Sequence, residues 1–219
     1  MSVRYNPSIV TAGLTFAIDP ANIKSYPGSG TTVTDIVSFS TATGFTGMAV
    51  SNNTFTTGGG CINNFSSSIS SAGTSRTVCS FFNIIDTNRR AIAGTRQLDA
   101  NFGWVFTVNR SAPGNLTYFH TGLGTAEFAA GIVPNQWYFG CATYDIATSR
   151  ADVFLNAVNL GNVTPFGGND LSTNLNGTYG GENGAQWVGS LGPLLIYNRA
   201  LSNTEIVQNY NAYRGRFGL

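Results

Sequence analysis

With 219 residues, 42% of them hydrophobic and only 10% charged, the chain can bury the core of one large domain and is short for two. Fifteen Phe, nine Tyr and three Trp spread along its length exclude a disordered chain, and no apolar run approaches the roughly 20 residues of a membrane helix. A net charge of +1 with no basic stripe excludes the electrostatic footprint of nucleic-acid binding.

The N-terminal MSVRYNPSIV has no apolar stretch, so no classical signal peptide is expected there. Leu14, Phe16 and Ile18 alternate with Thr15 and Ala17 at a strand period, and Asp19-Pro20 stops the strand. A loop rich in Gly, Ser and Pro runs from Ser25 to Thr32. The Gly58-Gly59-Gly60 run within Asn53–Phe65 suggests a bulge or a close backbone approach. Thr77–Ile85 is apolar at both parities, as an inner strand covered on both faces requires. Arg90–Thr95, Gly103–Asn109 and Leu116–Thr121 read as further strands, the last two joined by a turn at Ser111-Ala112-Pro113-Gly114.

Trp137–Tyr144 is the clearest strand, with Trp137, Phe139 and Cys141 on one face and Tyr138, Ala142 and Tyr144 on the other. Asp145–Ser149 turns into Asp152–Asn156, and a short return strand follows at Val158–Gly161. Pro165–Gly184, rich in Gly and Asn, reads as a long surface loop of the kind that often carries function. Gln186–Val188 and Leu194–Tyr197 return to strand character. Ser202-Asn203-Thr204-Glu205 fits a capping box and opens a helix whose apolar stripe is Ile206, Val207, Tyr210 and Tyr213, with Gly215 as its stop. Without an internal repeat or linker, the pattern predicts an all-β sandwich over residues 1–219 as a single domain, with one short C-terminal helix.

Cys61, Cys79 and Cys141 lack metal-like spacing, and their odd number allows at most one disulfide. Six N-x-S/T triplets, headed by Asn52, Asn64, Asn109, Asn115, Asn162 and Asn176, fit an Asn- and Thr-rich chain without a secretion signal. The cations are ten Arg and a single Lys24, a bias that suits packed or forked contacts at protein interfaces.

Asn135-Gln136-Trp137-Tyr138, Ala142-Thr143-Tyr144-Asp145 and Val153-Phe154-Leu155-Asn156 together resemble the laminin-G-like jelly-roll family. The run from Gly189 to Ser202, followed by Glu205-Ile206 and Asn209-Tyr210, is similar to the closing strand and helix of these concanavalin-like domains. Gly13–Asp19 is similar to their first strand. The ending through Arg214-Gly215-Arg216-Phe217 resembles stand-alone versions encoded by tailed phages, including marine and cyanobacterial ones. That resemblance implies a concanavalin-like jelly roll and a virion location, as a head decoration or an appendage subunit contacting other virion proteins and copies of itself. Two departures stand out. Ala157 takes the place of a Gly that often follows Asn156, so a tight hairpin is not expected there, and Phe139 makes its strand more apolar than in many members.

The fold also hosts glycanases, whose retaining mechanism needs two carboxyl groups about 5–5.5 Å apart. Glu127, Glu182 and Glu205 have no acid two residues away, and Glu205 has its capping role. Asp145 and Asp152 flank a turn, where Asp is common for structural reasons. His120, the single histidine, lacks a nucleophile elbow and reads as a partly exposed strand residue. The glycine runs lack the Lys-Ser/Thr ending of phosphate loops. No catalytic residues and no required cofactor are therefore expected. Calcium has weak candidates in Asp99 with Asn101 and Asn169 with Asp170. For a sugar ligand, Trp104, Tyr118, Tyr179 and Trp187 offer rings; strand position favours the core for Trp104 and Trp187, and Tyr179 is the ring expected to be exposed. The leading expectation is a non-enzymatic virion structural protein, and the alternative is an adhesin module of a tail fibre recognising a host surface glycan.

Overall fold

The computed structural model describes residues 8–42, 44–65, 73–95, 103–167, 177–181 and 184–219. Among them the strands are β1 (Leu14–Ile18), β2 (Val33–Thr34), β3 (Thr41–Ala42), β4 (Gly44–Ser51), β5 (Thr54–Phe65), β6 (Arg76–Ile84), β7 (Arg90–Gly94) and β8 (Trp104–Val108). They continue with β9 (Asn115–His120), β10 (Gly124–Ala129), β11 (Trp137–Asp145), β12 (Arg150–Leu155), β13 (Val158–Val163), β14 (Gly177–Tyr179) and β15 (Trp187–Tyr197). One helix, α1 (Asn203–Tyr213), follows, and no helix of the described residues is long and apolar enough to cross a membrane. The expected all-β jelly-roll sandwich with a short C-terminal helix is what forms.

A continuous antiparallel path runs β10-β9-β8-β7-β14-β5-β15-β6-β11-β12-β13, with β1 added on β15 and β4 on β5. The path folds over so that its two ends, β10 and β13, come back against each other. Gly161 of β13 makes that approach possible: a Cβ there would sit 2.5 Å from the Phe128 ring of β10. Closing the path in this way shields edge strands that would otherwise template pairing with other chains.

Side-chain alternation then builds two cores. Phe16, Val78, Phe82, Trp104, Phe106, Tyr118, Tyr138, Val153, Tyr179 and Trp187 fill the space between the layers. Cys79, Phe81, Phe139, Cys141, Leu195 and Tyr197, from the opposite parity of β6, β11 and β15, face outward and are covered by Ile206 of α1 and by Phe217. The expected split of Trp137–Tyr144 into two faces, and the coverage of β6 on both, follow from this arrangement. Cys79 and Cys141 are direct partners across β6 and β11, both buried beneath α1 and both free thiols. Burial, with the neighbouring Cys79 adding to it, pushes the Cys141 thiol well above its ordinary range.

The capping box forms as read: the Ser202 side chain accepts from the Glu205 N–H, and Glu205 accepts from the Ser202 N–H at 2.9 Å. The buried stripe of α1 is Ile206, Asn209 and Ala212, while Val207 is exposed, one position off the expected stripe. Asn209 is buried because it is fully used; it accepts from Val10 N–H at 2.9 Å and donates to the Tyr197 hydroxyl at 3.0 Å. Gly215 is not the stop. It lies inside a 3-10 turn, Arg214–Arg216, and the left-handed glycine is Gly218.

One expectation is extended and one corrected. Trp187–Val188 and Leu194–Tyr197 have the strand character read from the sequence and join in one strand, β15, which pairs with β5 along its first half and with β1 along its second, β6 flanking both. The β12–β13 turn is tight despite Ala157: Leu155 pairs with Val158, and Asn156 and Ala157 both take positive φ, 49° and 64°. Asn156 holds the turn by accepting from Phe139 N–H with its side chain and donating its own N–H to the Phe139 carbonyl. The glycine run behaves as expected, since Trp187 pairs with Gly60 and Val188 with Gly58, leaving Gly59 as the bulge.

Candidate recognition surface

Trp104, Tyr179 and Trp187 are all fully buried, so the expectation of an exposed ring at Tyr179 is corrected. The reason is β14, a short strand inserted between β5 and β7 where a loop was expected. Its Tyr179 hydroxyl donates to the Gly192 carbonyl at 2.9 Å and lies 2.8 Å from Ser80 Oγ, and burial pushes the phenol far above its ordinary range. Trp187 meets Phe82 edge-on at 5.7 Å, and Trp104 packs on Tyr118 at 6.2 Å. Asp99, Asn101, Asn169 and Asp170 lie outside the described residues. Among the described residues no group of three or more His, Cys, Asp or Glu could hold a metal ion.

Every carboxylate among the described residues serves as an acceptor for neighbouring structure. Asp19 takes both bonds of Arg216 at 2.9 and 3.0 Å, and Asp86 pairs with Arg90 and Asn88. Glu127 accepts from Ser111 N, Ser111 Oγ and Asn115 Nδ2, which together hold the β8–β9 turn. Asp145 accepts from Thr148, Ala147 and Ser75, while Asp152 accepts from Arg150 and Asn159. Hydrogen bonding holds Asp86, led by Arg90, and Asp145, led by Thr148, below their usual range. In Glu127 and Asp152 burial acts upward but the bonds outweigh it, and both are lowered. Arg199 first, then the Ser202 backbone, bring Glu205 down to about 2. Glycoside hydrolysis needs one carboxyl raised so that it can donate a proton, and these five are moved the opposite way.

His120 is buried rather than partly exposed, because it sits at the core parity of β9 with Leu116 and Tyr118; its Nδ1 lies 2.9 Å from the Thr121 carbonyl. Four of the arginines, Arg90, Arg150, Arg199 and Arg216, form ion pairs within the chain. The bias toward Arg thus serves internal forked contacts at these positions.

The described surface offers one unusual element, the loop Asp35–Ser40 that joins β2 to β3. Its Phe39 is 75% exposed and takes φ of 59°, a conformation that a bulky L residue rarely adopts. Phe39 is the one aromatic among the strongly exposed large apolar residues described, the others being Ile or Val. The fully buried Asp35 builds the loop. Its Oδ1 accepts from Ala17 N at 2.8 Å and Val37 N at 3.0 Å, and its Oδ2 from Ser38 N and Ser38 Oγ. Backbone bonds from Phe39 N to Asp35 O and from Asp35 N to Ser40 O close the ring, each 2.9 Å. Ile36 turns inward against the outer core. Sequence reading missed this site. Its signal, an Asp three residues before a Ser, marks an Asx-type turn but not the exposure of the ring between two serines.

Residues 56–207 match the family model described as the concanavalin A-like lectin/glucanases superfamily. No curated protein sequence matches the chain. Among solved structures, the binding domain of Paraclostridial Mosquitocidal Protein 1 superposes with a TM-score of 0.69 at 13% identity, over 92% of this chain and 52% of that one. The receptor binding domain of botulinum neurotoxin C/D mosaic serotype gives 0.66 at 14%, over 92% and 51%. Trypanosoma rangeli sialidase in complex with sialic acid gives 0.66 at 11%, over 95% and 34%. The chain therefore spans about half the length of the two binding domains and a third of the sialidase chain, and the likeness is one of fold.

Proposed function

The chain belongs to the concanavalin A-like lectin/glucanase superfamily, and from that premise we propose that it is a non-enzymatic recognition domain displayed on the surface of a phage particle, as a head decoration or an appendage subunit. The observation that carries the non-enzymatic half is the structural employment of every described carboxylate, with five of them held ionised. The recognition half is supported by the likeness to domains whose own names describe binding. The particle setting rests on the sequence resemblance of the C-terminal segment, and it brings other virion proteins and further copies of the chain as partners. The reading requires no cofactor.

A cryo-EM map of the intact particle tests the setting, with the chain expected at the outer surface; its absence from purified virions overturns that half. A host surface glycan is the ligand favoured within the recognition reading, because the superfamily is one of lectins as well as glucanases. Selective retention on a glycan array is the expected result, and sugar release from any polysaccharide would instead restore the enzymatic reading.

A further inference from the structure

We propose that Phe39, held outward by the Asp35 loop, is a platform for the apolar face of a neutral pyranose. This rests on the recognition reading above and gives it a site. A glycine at position 39 would make the same turn without left-handed strain and without an apolar ring in water. The turn alone therefore does not account for the ring. Strain held in place by surrounding structure is a mark of functional positions. Here the holding is explicit: four donors on a buried carboxylate and two backbone bonds fix one loop conformation. The ring is pre-positioned, so a ligand does not have to order it.

The surroundings choose the ligand class. Ser38 donates its hydroxyl proton to Asp35, so in the 2.7 Å contact between Ser38 and Ser40 the donor is Ser40. Ser38 Oγ also accepts from Ser40 N at 3.3 Å, so both hydroxyls are engaged in fixing the loop, and the ring is the group left for a ligand. The loop's one ionisable group, Asp35, is buried, so none of its six residues presents a charge to solvent. An acidic sugar finds no partner cation on the loop, and a neutral one loses nothing. A protein partner needs on the order of 800 Å² of surface, whereas one ring matches one sugar face. Binding to a single platform is weak, so display in many copies is what makes it effective.

The test couples the chain in many copies to beads and applies them to an array of neutral and sialylated glycans. Wild type is compared with Phe39→Gly and Phe39→Trp, and methyl glucoside, galactoside and mannoside are titrated by amide NMR. Wild type is expected to retain neutral glycans and to shift the amides of residues 35–40. Phe39→Gly should lose at least tenfold of the array signal while melting no lower than wild type, and Phe39→Trp should keep or strengthen it. Wild-type binding that survives Phe39→Gly, or that is confined to sialylated glycans, overturns the site and leaves the recognition reading standing. No retention of any glycan by wild type overturns the site and the glycan ligand together.

Discussion

Asp35 and Glu205 do the same chemistry in two regions with opposite results. Each carboxylate gathers hydrogen-bond donors from a short segment and fixes its backbone. Glu205 does so at the start of α1, where the box and Arg199 direct Ile206 onto the sheet and close the outer core. Asp35 does so in a hairpin loop, where the same kind of cage turns Phe39 away from the protein. The lesson is that a locally satisfied carboxylate shows that a backbone is fixed; only the parity of the next apolar residue shows whether it serves folding or display.

The largest expected effect separates a buried ring from a displayed one. Trp187→Ala should cost about 3–5 kcal/mol in a denaturant melt, as cavities left by large aromatics do. A cost below about 1 kcal/mol would place Trp187 on the surface and reopen it as a sugar platform. Asp35→Ala comes next, at about 2–4 kcal/mol, because it leaves the Ala17 N–H and the loop N–H groups without their acceptor. Should it cost less than the Glu205 variant, the greater weight assigned to the buried cage fails.

Glu205→Gln should cost about 0.5–1 kcal/mol, the value of a partly exposed ion pair with Arg199, because Gln keeps the acceptor of the capping box. Its pH signature is specific. A carboxyl lowered on folding contributes stability above its unfolded value, and loses it as pH falls from about 4.5 toward about 2. The difference between wild type and Glu205→Gln should therefore shrink across that window; a constant difference would assign the effect to packing alone. The smallest effects are gains. Phe39→Gly and Ala157→Gly each relieve a left-handed L residue and should stabilise by about 0.5–1 kcal/mol in thermal melts. A loss at Phe39 but not at Ala157 would show that the ring contributes to folding after all.

Legibility followed the same divide. The C-terminal region announces itself because S-x-x-E and an apolar period are contiguous in sequence, and the alternation of Trp137–Tyr144 is two-sided and long. β14 was illegible because three residues within a Gly- and Asn-rich stretch of sequence carry no period, and only its neighbours β5 and β7 make Gly177–Tyr179 a strand. Tyr179 went wrong with it. The tight turn at Ala157 was hidden because Asn156 stabilises it through a partner 17 residues away, on another strand. Asp35 has the same character: its first donor, Ala17, belongs to β1, which no local pattern around Asp35 reveals.

The two thiols facing each other beneath α1 give the molecule an internal clock. Cys79 and Cys141 lie in the outer core with Ile206 and Phe217, so a solvent reagent meets them only when that core opens, whereas the half-buried Cys61 is reachable without that motion. Labelling at Cys61 therefore calibrates the reagent, and the lag before Cys79 and Cys141 follow times the opening of the outer core.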